Sequence, residues 1–208
     1  MRIISGLYKG RLLEALPGKQ TRPTLSRVRE AWASSMQSLI PGGSFEGAHV
    51  LDPFAGSGAL GLELLSRGAE SCLFIEQDKQ AMRVLRANIN TLGLSEAQVR
   101  ACMGNSLSPR LPSCIKAFKP FDIVVLDPPY MLSQDEVKEL LGRLFAVDAL
   151  AVDCLISYEH AAHGTDELQG SAFKTPDAMM TLQLVQSKAY GTVCLEYYVC
   201  IQSSQMNP

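Results

Sequence analysis

The segment His49-Val50-Leu51-Asp52-Pro53-Phe54-Ala55-Gly56-Ser57-Gly58-Ala59-Leu60-Gly61 constrains this chain more than any other. A short apolar run enters a glycine-rich turn, and the pattern then becomes helical through about Arg67. Such a strand–loop–helix opens a nucleotide-binding βαβ unit. Gly56 and Gly58 let the backbone approach a ligand closely, and Gly61 permits tight helix–strand packing. Taken alone the signal is weak, because GSGALG also satisfies the dinucleotide pattern GxGxxG and three glycines can simply make a turn.

The residues after Gly61 continue the alternation. Cys72 to Ile75 reads as a buried strand ending at Glu76, and 78–92 as a helix capped by Asp78 with Ala81, Met82, Leu85, Ile89 and Leu92 inward. Val99 to Cys102 and Phe121 to Leu126 read as strands, 134–146 as a helix and 152–158 as a further strand. Residues 179–187 and 192–201 suit an antiparallel pair turned near Tyr190-Gly191. Ahead of the repeat, residues 2–16 suit a β-hairpin or ribbon around Gly6 and Gly10. A helix capped by Thr24 carries Val28, Trp32, Met36, Leu39 and Ile40 and stops before Pro41-Gly42-Gly43. The expected fold is α/β and Rossmann-like, with a seven-stranded, mostly parallel sheet and an antiparallel C-terminal strand. The expected division is an N-terminal hairpin and helix at 1–42 and an α/β domain at 43–208.

A chain of 208 residues with 47% hydrophobic content supports one sizeable core. Its net charge of -2 announces no polyanion partner. The distribution does more. Residues 1–30 hold Arg2, Lys9, Arg11, Lys19, Arg22, Arg27 and Arg29 against only Glu14 and Glu30, which leaves the remainder net acidic. The six cysteines, Cys72, Cys102, Cys114, Cys154, Cys194 and Cys200, form no CxxC pair and read as buried, reduced thiols of a cytoplasmic protein. No zinc site or other metal is expected, nor a signal peptide, nor the ~20 apolar residues of a membrane span.

Two acids suggest which cofactor the loop takes. A carboxylate at Asp52 would oppose a pyrophosphate but can accept from an ammonium group, which favours S-adenosylmethionine over NAD. Glu76, ending the next strand, can accept from both hydroxyls of a ribose, whatever the nucleoside. The second motif is Asp127-Pro128-Pro129-Tyr130, at the end of an apolar strand. Its spacing suits the fourth strand, beside the first, so that both motifs would face one cleft. An exocyclic amine conjugated with a purine ring is a poor nucleophile. Asp127 can accept one of its N–H groups and the Pro128 carbonyl the other, aiming the lone pair at a methyl carbon. The prolines stiffen the loop, and Tyr130 offers a face for stacking the base. His49, His160 and His163 match no catalytic pattern.

These paired motifs belong to class I methyltransferases acting on amino nitrogens, and the N-terminal blocks RIISGLYKGRLL and TRPTLSRVREAW narrow the likeness. The chain closely resembles the bacterial 16S rRNA guanine-N2 methyltransferase family, from residue 2 through DPPY and more weakly at 188–198. The resemblance implies methylation of guanine 966 in 16S rRNA, in a small-subunit particle, by a monomer. It implies cofactor contacts at Asp52, Phe54, Ala55, Gly56, Ser57, Gly58, Glu76, Asn105 and Ser106. It makes Asp127 to Tyr130 the catalytic loop and places Arg2, Lys9, Arg11, Arg22, Arg27 and Arg29 against RNA. Family members commonly carry an acid near the adenine amino group, whereas Met103-Gly104-Asn105-Ser106 offers only the amide oxygen of Asn105.

Three other readings compete. A DNA adenine-N6 methyltransferase would use the same DPPY but needs a target-recognition insertion that 208 residues do not supply. An NAD-dependent oxidoreductase leaves DPPY without a role. A non-catalytic RNA-binding module leaves both motifs without one.

Overall fold

The computed structural model describes residues 1–16, 23–118, 120–129, 131–161 and 168–202, with backbone alone at 23–26. Arg22, Tyr130 and His163 lie outside the described residues. The chain divides into two compact units, Met1–Ser106 and Leu107–Pro208.

The first unit is built on three parallel strands, β1 (His49–Asp52), β2 (Ser71–Glu76) and β3 (Val99–Met103), with β2 between the other two. Strand β2 is flanked on both sides, and Ser71 to Ile75 are buried throughout, as its unbroken apolar run requires. The connections are α2 (Ala59–Ser66) and α3 (Lys79–Leu92). Asp78 caps α3, its side chain accepting from the Ala81 amide at 2.8 Å. The predicted inward residues Ala81, Met82, Leu85, Ile89 and Leu92 are all buried, while Lys79, Arg83 and Arg86 are exposed. Gly61 fills its expected role. A Cβ there would sit 2.4 Å from the Phe74 ring and 2.7 Å from the Cys72 sulfur, so only glycine lets α2 lie this close to β2.

Helix α1 (Pro23–Leu39) begins two residues earlier than a Thr24 cap would place it. Thr24 lies within it rather than capping it, and proline suits a first turn whose N–H groups have no helical acceptor. Trp32 and Met36 are buried, Val28 and Leu39 half-buried, and Ile40 falls just past the helix end.

The N-terminal ribbon forms as predicted. Arg2 and Leu12 make an antiparallel bridge, flanked by hydrogen bonds from the Ile3 amide to Arg11 (3.0 Å) and from the Leu13 amide to Met1 (2.8 Å). What holds it down was not expected. Glu63, in the middle of α2, is fully buried. Its carboxylate accepts from the amides of Ile4 (2.8 Å) and Ser5 (3.1 Å) and pairs with Arg67 at 2.9 Å. Next to it, Ser66 accepts from the Tyr8 amide at 3.0 Å and donates to the Ser5 carbonyl at 2.5 Å. The turn passes so close that a Cβ on Gly6 would fall 1.7 Å from the Ser66 carbonyl oxygen.

The second unit pairs β4 (Phe121–Leu126) in parallel with β5 (Leu150–Ala161). The register shifts between Phe121 and Ile123, and Asp153 of β5 has φ 64°. An aspartate tolerates that left-handed conformation better than most residues. Strand β5 is thus longer than the expected 152–158. Beyond it, β8 (Val193–Gln202) runs antiparallel to both β5 and β7 (Met179–Tyr190), and the hairpin turns at Tyr190-Gly191 as expected. A three-residue β6 (Ala172–Lys174) pairs antiparallel with β7. The described residues therefore form eight strands, not seven, and both β6 and β8 oppose their neighbours. Three residues carry too little pattern for β6 to be read from sequence. The same holds for α4 (Cys114–Phe118) and the 3-10 turn Pro41–Gly43. Helix α5 (Gln134–Ala146) begins with a Ser133/Glu136 capping box and packs Phe145 against Phe173, ring centroids 4.9 Å apart.

A polar cluster lies on β5 and β8. His160 Nδ1 meets the Ala161 carbonyl at 2.9 Å and its Nε2 lies 3.2 Å from Glu196, which also accepts from the Tyr198 hydroxyl at 2.5 Å. Cys194 completes a His–Cys–Glu group whose donor atoms lie within 4.8 Å of one another. Here Glu196 is already engaged by Tyr198 and His160. His49 pairs with Ser71 across β1 and β2 at 2.8 Å. All six cysteines are free, but only Cys72, Cys154 and Cys200 are buried. The other three are half-buried, on the margins of their strands and helix. No described helix is long and apolar enough to cross a membrane.

Glu63→Ala should destabilise the protein by roughly 3–5 kcal/mol in urea unfolding, since it strands Arg67 and two amides in a buried site. Glu63→Gln, which keeps one acceptor, should lose clearly less. Equal losses would show that packing, not the carboxylate, anchors the ribbon. Burial pushes the Glu196 carboxyl up, but hydrogen bonds with His160 and Tyr198 outweigh it and hold the group below the ordinary glutamate value. Its contribution is therefore complete above the unfolded value and is lost as pH falls through the lower folded one. The melting-temperature gap between wild type and Glu196→Gln should narrow over that acidic window, and a gap independent of pH would contradict the pairing.

Candidate functional site

In the first unit, polar side chains from outside the loop between β1 and α2 converge on its backbone. Asp52 ends β1 and is buried. Its register partner on β2 is Phe74, so Glu76 extends two residues further along the neighbouring strand. Between the acids runs Pro53 to Gly58. Gly58 has φ 81° and occupies the cap position of α2 in the left-handed region, where a β-carbon would also strike Leu85 at 2.4 Å. Gly56, at φ 54°, meets among the described residues only Leu16, 3.8 Å from where its β-carbon would be.

Three side chains from three different elements hold this loop. Glu76 accepts from the Gly56 amide at 2.7 Å through one oxygen and from the Asp78 amide at 2.7 Å through the other. Ser106, buried just after β3, donates to the Pro53 carbonyl at 2.5 Å. Asn88, fully buried on α3, donates to the Ser57 carbonyl at 2.9 Å. The Ala55 amide adds a backbone bond to Ile75 at 3.1 Å. Glu76 thus braces the loop as well as ending the strand, and Ser106 does its visible work on Pro53. Asn105 is exposed beside it.

The donor set suits a cationic nucleoside. Two carboxylates flank the loop, and Pro53 to Gly58 contains no basic residue to meet a pyrophosphate. Each Glu76 oxygen accepts one amide, which leaves lone-pair capacity for ribose hydroxyls. Phe54 is half-buried and Ala55 buried on the same turn.

In the second unit, Asp127 to Pro129 follow β4 directly. Asp127 is half-buried, Pro128 buried and Pro129 exposed. The Pro129 carbonyl accepts from the Leu132 amide at 2.8 Å, and the Ser133 cap then starts α5. Asp127 to Pro129 thus follow the end of a buried strand, and α5 begins a few residues later with a reciprocal cap.

The basic residues divide in two. Arg2, Lys9, Arg11 and Arg27 are exposed. Arg29 is half-buried, and its guanidinium donates to the Arg2 carbonyl at 2.5 Å and approaches the Met1 sulfur at 3.6 Å. Burial lowers its pKa, an effect opposed by Glu63. Arg29 thus braces the ribbon against α1. Sequence reasoning missed Asn88, Glu63 and Ser66. The available signal was a polar residue within an apolar helical stripe, at Asn88 beside Leu85, Ile89 and Leu92 and at Glu63 among leucines.

The family model described as Conserved hypothetical protein 95 matches residues 1–199. YlbH of Bacillus subtilis, provisionally named an rRNA methyltransferase, is 35% identical over 95% of this chain and 98% of its own length. The ribosomal RNA small subunit methyltransferase D of Haemophilus influenzae is 38% identical over 62% of this chain and 64% of its own. Among solved structures, yhhF of Escherichia coli, provisionally named a methyltransferase, superposes with a TM-score of 0.71 at 32% identity, over 98% of this chain and 99% of its own. Matched along nearly its whole length, and with its α/β fold shared by those methyltransferases, the chain belongs to the ribosomal RNA small subunit methyltransferase D family.

Proposed function

We propose that this chain is an rRNA methyltransferase that moves a methyl group from S-adenosylmethionine to the exocyclic N2 of guanine 966 in 16S rRNA. The observation that carries the reading is the glycine loop between Asp52 and Glu76, held by Glu76, Ser106 and Asn88, in a chain that also carries Asp127-Pro128-Pro129-Tyr130. Family membership supports the ribosomal substrate. An rRNA substrate fits a cytoplasmic location and a small-subunit particle as partner, and the family resemblance alone suggests a monomer as the working form.

Asp52 and the loop orient the cofactor, and Glu76 takes its ribose hydroxyls on the lone pairs its amide partners leave. When bound, S-adenosylmethionine supplies an electrophilic methyl carbon on a sulfonium. Asp127 accepts one N–H of the guanine amine and the Pro128 carbonyl the other, so that the nitrogen lone pair aims along the attack line. Transfer would join the methyl carbon to the amine nitrogen and leave the neutral thioether of S-adenosylhomocysteine, with Asp127 or water taking the amine's spare proton. Tyr130, outside the described residues, is assigned to stacking the base. Arg2, Lys9, Arg11, Arg22 and Arg27 are assigned to phosphates, which set register and leave base choice to the pocket. The 1–42 segment is thus the RNA-facing part and 43–208 the catalytic part.

Glu76→Ala should weaken S-adenosylhomocysteine binding by roughly 1–3 kcal/mol in calorimetry. Unchanged affinity would remove Glu76 from the cofactor site. Asp127→Ala should cost about 10²-fold or more in kcat with cofactor affinity nearly kept, and near-normal turnover would refute the amine-orienting role. Arg2, Lys9, Arg11 and Arg22 changed together to alanine should weaken particle binding and flatten its salt dependence. An unchanged salt slope would move the RNA surface elsewhere. Labelled methyl transfer to unmodified small-subunit particles, naked rRNA and duplex DNA in parallel tests the substrate. Label in duplex DNA alone would favour the adenine-N6 reading.

A further inference from the structure

We infer that Asn88 is a positioning residue that couples the basic ribbon to the cofactor loop, so that RNA and cofactor bind each other's complex more tightly than the free protein. The inference rests on the reading that the 52–58 loop holds S-adenosylmethionine and the ribbon meets RNA.

Asn88 is fully buried on α3 and its amide is fully used. Oδ1 accepts from the Glu14 amide at 2.7 Å. One Nδ2 hydrogen goes to the Glu14 carbonyl at 3.1 Å and the other to the Ser57 carbonyl at 2.9 Å. Glu14 follows the strand that carries Arg11, and Ser57 lies between Gly56 and Gly58. One planar group therefore joins the end of the ribbon to the middle of the loop. Two residues on, Leu16 is the nearest described neighbour of Gly56 on the side a β-carbon would take. The far end of the ribbon is tied separately, by Glu63 and Ser66 on α2, so Asn88 is not needed merely to keep the ribbon attached.

The geometry has a thermodynamic consequence. The carboxamide is rigid, and all three of its bonds hold together only while Glu14 and Ser57 keep one relative position. A ligand that orders the loop around Ser57 orders Glu14 with it, and a polyanion that fixes the ribbon fixes Ser57. Whichever ligand binds first has then met part of the ordering cost of the second, which is positive coupling without a large structural change. Linkage requires the effect to be reciprocal. For a methyltransferase this favours the productive ternary complex over protein carrying either ligand alone.

The test measures S-adenosylhomocysteine affinity with and without saturating small-subunit particles from a strain lacking the gene, and particle affinity with and without S-adenosylhomocysteine. Wild type should show tightening of about fivefold or more in both directions. Asn88→Ala should bring both ratios to near unity, beyond any loss of affinity in the binary complexes. Asn88→Asp should do the same, because it keeps the acceptor for the Glu14 amide but turns an oxygen toward two carbonyls. A merely structural role would lower affinities or stability while leaving the ratio intact, and that outcome overturns the coupling. A wild-type ratio of one overturns it as well, whether or not the variants fold. Wild type that binds neither ligand overturns the functional reading itself, whereas tight binding of both without coupling overturns only this inference.

Discussion

Six residues of backbone between Asp52 and Ala59 are the point on which the first unit turns. A loop with two left-handed glycines exposes amides and carbonyls where neither helix nor strand can satisfy them, and an unmet buried polar group costs about 1–3 kcal/mol. Three neighbours meet that demand: Glu76 holds the Gly56 amide, Ser106 the Pro53 carbonyl and Asn88 the Ser57 carbonyl. Each comes from a different element, so β2, the segment after β3, and α3 all converge on one short turn. The result is a preorganised loop whose amides and carbonyls are held in place by three separate parts of the unit.

The same economy attaches the ribbon. A charged Glu63 inside an apolar helix would be costly by itself, but it is consumed by two ribbon amides and Arg67. The buried charge makes sense only with residues 4 and 5 in place, which ties the folding of α2 to that of the N-terminus. Arg29 serves the same joint from α1. One of the seven basic residues near the N-terminus is thus structural. Arg2, Lys9, Arg11 and Arg27 remain exposed.

The second unit shows a different physical style. Strands β5, β7 and β8 are long and pair antiparallel through β8, with cross-strand neighbours such as Tyr158 with Glu196 and His160 with Cys194. Asp127-Pro128-Pro129 sits where the one strongly apolar strand, β4, gives way to a helix with a reciprocal cap. Prolines suit that junction because no ladder amide is required once the strand ends.

Much of this was legible in the residues. The β–loop–α order, the inward face of α3, the Asp78 cap, the need for glycine at 61 and the final hairpin all follow from local rules: apolar periodicity, capping chemistry and the absence of a Cβ. Those rules act over a few residues, so a sequence states them directly. The short β6 and α4 escaped because three to five residues hold too little pattern. The partners of Glu63, Asn88 and Ser106 escaped for a deeper reason. Their bonds to the ribbon and the loop span 31 to 74 positions, and nothing local distinguishes a buried polar side chain awaiting a distant partner from an ordinary surface one. Local pattern alone specified the longer helices and strands and singled out the candidate site residues. Tertiary structure decided which of them brace the loop and which stay open to a ligand, because a hydrogen bond between distant segments exists only once packing has brought donor and acceptor within about 3 Å and removed the competing water.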